Sequence, residues 1–286
     1  MAKKMKSRAS DYTENDFPLS RKDVFLEAYR ERFSLLLRLG LLALVFAIPH
    51  LLLSFWRDYA VAATYAKATE QTAETYAKIA TETSVVYGLG YLITLPLAAF
   101  LFAGILQVLR QLLWNVPVFL GDDWKQGVKE NGWRLALSAF AFALLYYELN
   151  FIAGTYLEYA IRALVLLLFA PWALWLLSEH YYYELKFGES LKNAVLFYVR
   201  TVPFTLLFVF LAIIPFWACD RFLSYLGVKQ LVEGVLLLFY LVPWAMAWLL
   251  YACHVFDRYI NRDYYPEYYR KGMRKIEDSS TENRPR

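Results

Sequence analysis

The chain is 286 residues long, 59% apolar and 19% aromatic, with 30 basic and 26 acidic residues. An ordinary soluble domain is about 45–50% apolar. The composition therefore excludes a disordered chain, a disulfide scaffold and a soluble enzyme of usual make-up. Several apolar runs approach the ~20 residues that cross a bilayer, which points to a single membrane domain.

Lipid offers no partner to an open strand edge, so the spans are predicted as helices and the fold as all-α. Residues 1–19 form a polar segment carrying Lys3, Lys4, Lys6 and Arg8. No apolar stretch with a small-residue cleavage site follows closely, so no cleaved signal peptide is expected. Ser20 and Asp23 have capping-box spacing and open an amphipathic stretch that runs to Phe33. The membrane domain is predicted over 20–265, with its first span at Phe33–Trp56. Arg38 lies near enough to the end of that span to snorkel out of it.

Residues 57–83 contain neither Gly nor Pro. Thr64-Tyr65-Ala66-Lys67 recurs as Thr75-Tyr76-Ala77-Lys78, close to three helical turns later. The spacing predicts both copies on one helix face. It also predicts two helical extensions forming a hairpin that turns near Glu70–Thr72. Exposed tyrosines offer large contact area at low entropy cost, so Tyr65 and Tyr76 are candidate partner contacts.

The second span is expected at Val86–Leu113 and the third at Trp133–Phe151, where only Leu135–Tyr147 is cleanly apolar. The fourth is expected at Leu157–His180, the fifth at Tyr198–Cys219 and the sixth at Leu231–Val255. Phe256–Arg274 mixes five tyrosines with basic residues, a composition suited to an anionic leaflet surface. Residues 266–286 are expected to be a basic, partly disordered tail. Six spans place both termini on one side. Of the 30 Lys and Arg residues, 23 fall on that side, five on the other and two inside spans. The bias puts the termini in the cytoplasm of a multi-pass plasma-membrane protein.

Leu120–Val128 and Phe187–Val195 align at a constant offset, with Gly121 over Gly188 and Lys125 over Lys192. In both, an acid follows the glycine near a predicted helix start, where negative charge suits the helix dipole. Pro96, Pro171 and Pro243 each precede a bulky apolar residue and then alanine, near the middle of the even-numbered spans. A mid-helix proline frees a carbonyl and kinks the helix. These patterns predict three parallel two-helix repeats, each preceded by a cytoplasmic amphipathic helix.

The central stretches of all six spans lack Asp, Glu, Lys, Arg and His. An ion-coupled carrier needs such groups near the midplane, so that class is disfavoured. A pathway for a neutral solute, lined by Tyr146, Tyr147, Thr205 and Tyr240, stays open as an alternative. Glu158 and Arg162 are four apart in the favourable helical order. With Glu148 on the neighbouring span they form a candidate polar or ion-pair site at the outer face. His50, His180 and His254 fall at span ends without a neighbouring nucleophile, so no catalytic residue is expected. Cys219 and Cys253 fall at opposite faces, which predicts no disulfide between them. No metal-ligand spacing or nucleic-acid-binding motif is present, and no metal, cofactor or nucleic-acid partner is expected.

The stretch Leu95-Pro96-Leu97-Ala98-Ala99, Gly104-Ile105-Leu106, Val108-Leu109-Arg110, Val118-Phe119-Leu120, Asp123-Trp124 and Gly127-Val128-Lys129-Glu130-Asn131 resembles the YesL family of small bacterial membrane proteins. Lys192-Asn193-Ala194 and Arg200 are similar to that family's second surface helix, and the likeness covers most of residues 20–265. The insertion 57–83 and the Tyr-rich tail depart from the pattern. The family has no assigned reaction. Its genes often lie beside those of carbohydrate ABC transporters, so the resemblance implies a non-enzymatic accessory protein with transporter components as partners. A permease or channel for a neutral solute is the second reading, and an unrecognised membrane enzyme the third. The oligomeric state is not legible.

Overall fold

The computed structural model describes residues 17–147, 156–183, 185–223, 225 and 227–274, and among them every regular element is helical. Ten α-helices run in chain order: α1 (Arg21–Glu31), α2 (Phe33–Ala66), α3 (Ala73–Leu113), α4 (Leu120–Tyr147), α5 (Tyr156–Leu164), α6 (Ala170–Tyr182), α7 (Phe187–Phe222), α8 (Val228–Leu236), α9 (Val242–Phe256) and α10 (Arg262–Tyr264). Three π segments lie between them, at Val165–Phe169, Leu237–Leu241 and Asp257–Asn261.

Five helical stretches are long and apolar enough to cross a membrane: Phe33–Ala66, Ala73–Leu113, Ala160–Tyr182, Gly188–Phe222 and Val228–Tyr264. The chain is thus a multi-pass membrane protein. The expected third span is not among them. Its residues up to Tyr147 form the second half of α4, and residues 148–151 lie outside the described residues. The six-span count and the repeats are therefore not fixed by these helices.

The local starts follow from side-chain chemistry. Ser20 caps α1, its hydroxyl accepting from the Asp23 N–H while the Asp23 carboxylate accepts from the Ser20 N–H at 3.1 Å. Arg32 leaves helical geometry (φ −117°, ψ 21°) and separates α1 from α2. A similar break occurs inside α7 at Thr201 (φ −129°, ψ 19°). Residues 120–131 differ from the separate surface helix that was expected. They continue without interruption into the apolar half of α4. The reason is close packing on α3: a Cβ on Gly127 would lie 2.4 Å from Gln107 Cβ and 2.9 Å from the Ala103 carbonyl. Trp124 adds an Nε1–H bond to the Leu101 carbonyl at 3.1 Å. The second half of the contact uses Gly132 against Phe100.

The prolines behave unequally. Pro171 and Pro243 each follow a five-residue π segment, whereas Pro96 sits within unbroken α3. A proline removes one donor, which inside lipid leaves a carbonyl that costs several kcal/mol unless another group pairs with it. Two tyrosines on neighbouring helices supply that group. Tyr198 donates to the Leu167 carbonyl, four residues before Pro171. Tyr240 donates at 2.6 Å to the Leu211 carbonyl, four residues before Pro215. Gly40 lets α2 approach the second π segment, since a Cβ there would lie 2.0 Å from the Leu238 carbonyl oxygen.

An aromatic part of the core lies at the end that carries α1 and residues 257–274. There Phe256 packs among Trp175, Tyr182, Tyr183 and Phe197, ring centroids 5.3–5.8 Å apart. Packing on this core continues past the expected boundary at 265. Tyr265, Tyr268 and Met273 join this core, and residues up to Arg274 close over α1. An aromatic segment buries more apolar area by packing on the protein than by resting at the headgroup surface.

Candidate functional site

Two regions combine polar chemistry with defined geometry, one at each end of the bundle. At the hairpin end, α2 and α3 run 34 and 41 residues, roughly 50 and 60 Å at 1.5 Å per residue. A hydrocarbon core is only about 30 Å thick. Both helices therefore continue well past the length that spanning needs. They turn over 67–72, and the Thr72 hydroxyl caps α3 by accepting from the Thr75 N–H at 3.1 Å.

Tyr65 and Tyr76 do not share one helix face, as the eleven-residue spacing suggested. The turn falls between them, so they sit on opposite arms and pack edge to face with centroids 5.4 Å apart. Tyr76 remains 50% exposed. The pair both closes the hairpin and presents an aromatic edge to the outside.

The base of the hairpin is pinned by charge. Lys229 at the start of α8 is only 5% exposed, with its Nζ 2.6 Å from Asp58 on α2 and 3.1 Å from Asp220 on α7. Gln230 donates to Asp58 at 2.9 Å, and Arg57 lies 3.2 Å from the same carboxylate. Deeper along α2, His50 meets Thr94 at 3.3 Å and packs at a tilt against Tyr91, ring centroids 5.0 Å apart. This collar joins four helices. Sequence reasoning missed it because Asp58 is more than 160 residues from Asp220 and Lys229, and only helix packing brings them together. The only hint was that two acids and one lysine flank apolar runs at the same predicted depth.

The proposed Glu148–Glu158–Arg162 site is not assembled by the described residues. Glu148 and the Glu158 side chain lie outside them, and Arg162 is half-buried on α5. The repeated residues Gly121, Lys125, Gly188 and Lys192 are all exposed, and a Cβ on either glycine would meet nothing within 4 Å. These glycines serve no close packing. Among the residues considered for a solute pathway, Thr205 is buried and accepts from Trp175 Nε1 at 3.1 Å, while Tyr240 is committed to Leu211. Tyr146 and Tyr147 have side chains outside the described residues. Glu179, near the end of α6, is fully buried with neither carboxyl oxygen in a hydrogen bond of ordinary geometry. It lies toward the end of the expected fourth span, outside that span's central stretch. Cys219 and Cys253 are both buried and free.

At the terminal end, Arg21 on α1 pairs with Asp257 at 2.6 Å and donates to the Lys271 carbonyl at 3.0 Å. Asp257 also accepts from Asn261 Nδ2 at 2.8 Å and from the Arg270 N–H at 3.2 Å. The segment is clipped to the N-terminal stretch by Arg274 N–H to the Pro18 carbonyl (3.0 Å) and Arg270 Nη2 to the Leu19 carbonyl (2.9 Å). Burial, and then the neighbouring Glu31, push the Glu27 carboxyl above the ordinary range. Burial, and then the Arg110 guanidinium, push the Lys271 amine below its ordinary value. An apolar cleft of about 250 Å³ opens between α3, α4, α6 and α7, lined by Ala99, Ala139, Ala173 and Ala212 among others. Comparison of the chain with protein-family models, curated proteins and solved structures finds no match.

Proposed function

We propose that the chain is a non-enzymatic accessory protein of the bacterial plasma membrane. It spans the bilayer six times with both termini in the cytoplasm and binds a protein partner outside through the 57–83 hairpin. Its sequence likeness to the YesL family favours a carbohydrate ABC transporter component as that partner. The sixth crossing is the expected span at Trp133–Phe151, and the spans form three parallel pairs.

One observation carries the reading. Two helices extend past the need of spanning, hold a fixed direction through the buried Lys229 collar, and end in an aromatic edge at Tyr76. A projecting rigid pair contributes little to the buried core, so its value lies in what it contacts. Tyrosine is enriched at protein contacts because it offers area and one polar tip at low entropy cost.

Replacing residues 60–80 by a short Gly/Ser turn tests this. The variant is expected to insert normally and to lose the proteins that co-purify with the wild type. Retention of every partner would reject the hairpin as the contact. Sidedness is tested separately with single cysteines at Thr72 and Ser280. Labelling from outside intact cells is expected at position 72 and absent at 280.

A further inference from the structure

We propose that Arg110, Trp114 and Lys271 form a binding site for a phosphate group, supplied by the headgroup of an anionic phospholipid. Arg110 ends α3 and Trp114 is its C-cap. The Arg110 guanidinium lies 5.0 Å from the Trp114 ring centroid, and Lys271 Nζ lies 3.9 Å from the same centroid. Lys271 also lies 4.8 Å from the Tyr268 ring, which stacks on Trp114 at 5.6 Å. Two cations are thus gathered on one indole.

Charge balance sets this cluster apart. Arg21, its neighbour, is paired with Asp257. No ion pair engages Arg110 or Lys271 among the described residues. Arg110 gives one Nη to the Tyr181 carbonyl, while its buried Nε makes no hydrogen bond. Glu267 attracts Lys271, but burial and Arg110 outweigh it, and the net effect on the amine is downward. The fold therefore holds two like charges together at a cost that an arriving anion would offset.

The cluster is also preset. Asn115 and Gly272 adopt left-handed backbone (φ 53° and 79°), and Asn115 Nδ2 donates to the Gly272 carbonyl at 3.1 Å. A Cβ on Gly272 would lie 2.2 Å from the Leu113 carbonyl, so only glycine lets the strap carrying Lys271 close on the end of α3. Arg110, Trp114, Tyr268 and Lys271 all remain partly exposed. Basic pockets at the cytoplasmic ends of spans, next to aromatic rings, suit anionic headgroups. The lipid source rests on the proposed placement of this end at the inner leaflet. Recognition of phosphate does not.

The test uses the full chain in neutral detergent, where no sidedness exists, so a wrong topology leaves the result unchanged. Native mass spectrometry counts retained phosphatidylglycerol against phosphatidylcholine. The wild type is expected to retain phosphatidylglycerol selectively. Lys271→Gln should lower retention about fivefold, the effect of one basic residue near a membrane surface. Lys271→Arg should keep it. Lys125→Gln, at an exposed lysine on α4, should change nothing. Displacement of the lipid by millimolar inorganic phosphate would support the phosphate site and assign its occupant to the soluble anion. Equal retention of both lipids, or equal loss with Lys125→Gln and Lys271→Gln, would overturn the proposal.

Discussion

The two ends of the bundle hold themselves together by different means. The hairpin end relies on one buried lysine between two carboxylates and one tyrosine pair. The terminal end relies on a ring-packed core around Phe256, with Arg21–Asp257 as one bond among many. A charge collar fixes direction but buries little apolar area. An aromatic core buries much and fixes position through shape. The contrast is between a core fixed by shape at one end and a hairpin pinned by charge at the other.

The sharpest way to break the contrast is Lys229→Met. It removes the buried cation that Asp58 and Asp220 share and leaves Asp58 only Arg57 and Gln230, at a cost of about 3 kcal/mol. Thermal unfolding in detergent should show the loss, and the double variant Lys229→Met/Asp58→Leu should recover most of it. Arg21→Met, the matching change at the terminal end, should cost less, because Asp257 keeps Asn261 and the Arg270 N–H. Its effect should appear as faster proteolysis after residue 265, with hairpin cleavage unchanged. Equal losses from the two variants would erase the distinction between the ends.

Next in size is Gly40→Ala, which forces α2 away from the Leu238 carbonyl and should cost about 1–3 kcal/mol. Tyr198→Phe and Tyr240→Phe should each cost about 1 kcal/mol, the net worth of one hydrogen bond, by exposing a proline-freed carbonyl to lipid. Both can be read from melting temperatures in one detergent. The smallest effect is at Glu27. Burial, and then Glu31, raise its carboxyl, so the folded chain favours the protonated form and acidification through the carboxylate range relieves both the burial of its charge and the repulsion. Glu27→Gln should stabilise by about 0.2–0.5 kcal/mol at neutral pH and remove that gain on acidification. No change in the pH profile would place the strain elsewhere.

What could be read from the chain was what lies close along it. The Ser20–Asp23 capping box is a three-residue signal, and it forms as expected. Pro171 and Pro243 announce interruptions, and π segments precede both. The tyrosines that answer the freed carbonyls were not legible, because Tyr198 and Leu167 meet only through helix packing. The same holds for Lys229 and Asp58. Tyr65 and Tyr76 show the opposite error: a periodic spacing was read as one face, yet the turn between them reverses the direction of the chain. The start of α4 looked like a surface helix because of its charges. Gly127 and Gly132, which let it lie flat on α3, decided otherwise.

The central claim is that the hairpin is the outward contact, and photo-crosslinking in intact cells tests it most directly. A crosslinking residue at Tyr76 is compared with the same residue at Leu89, which is also exposed but lies in the apolar part of α3. The account predicts a discrete protein adduct from position 76 and none from position 89. Adducts from position 89 alone, with position 76 silent, would contradict it.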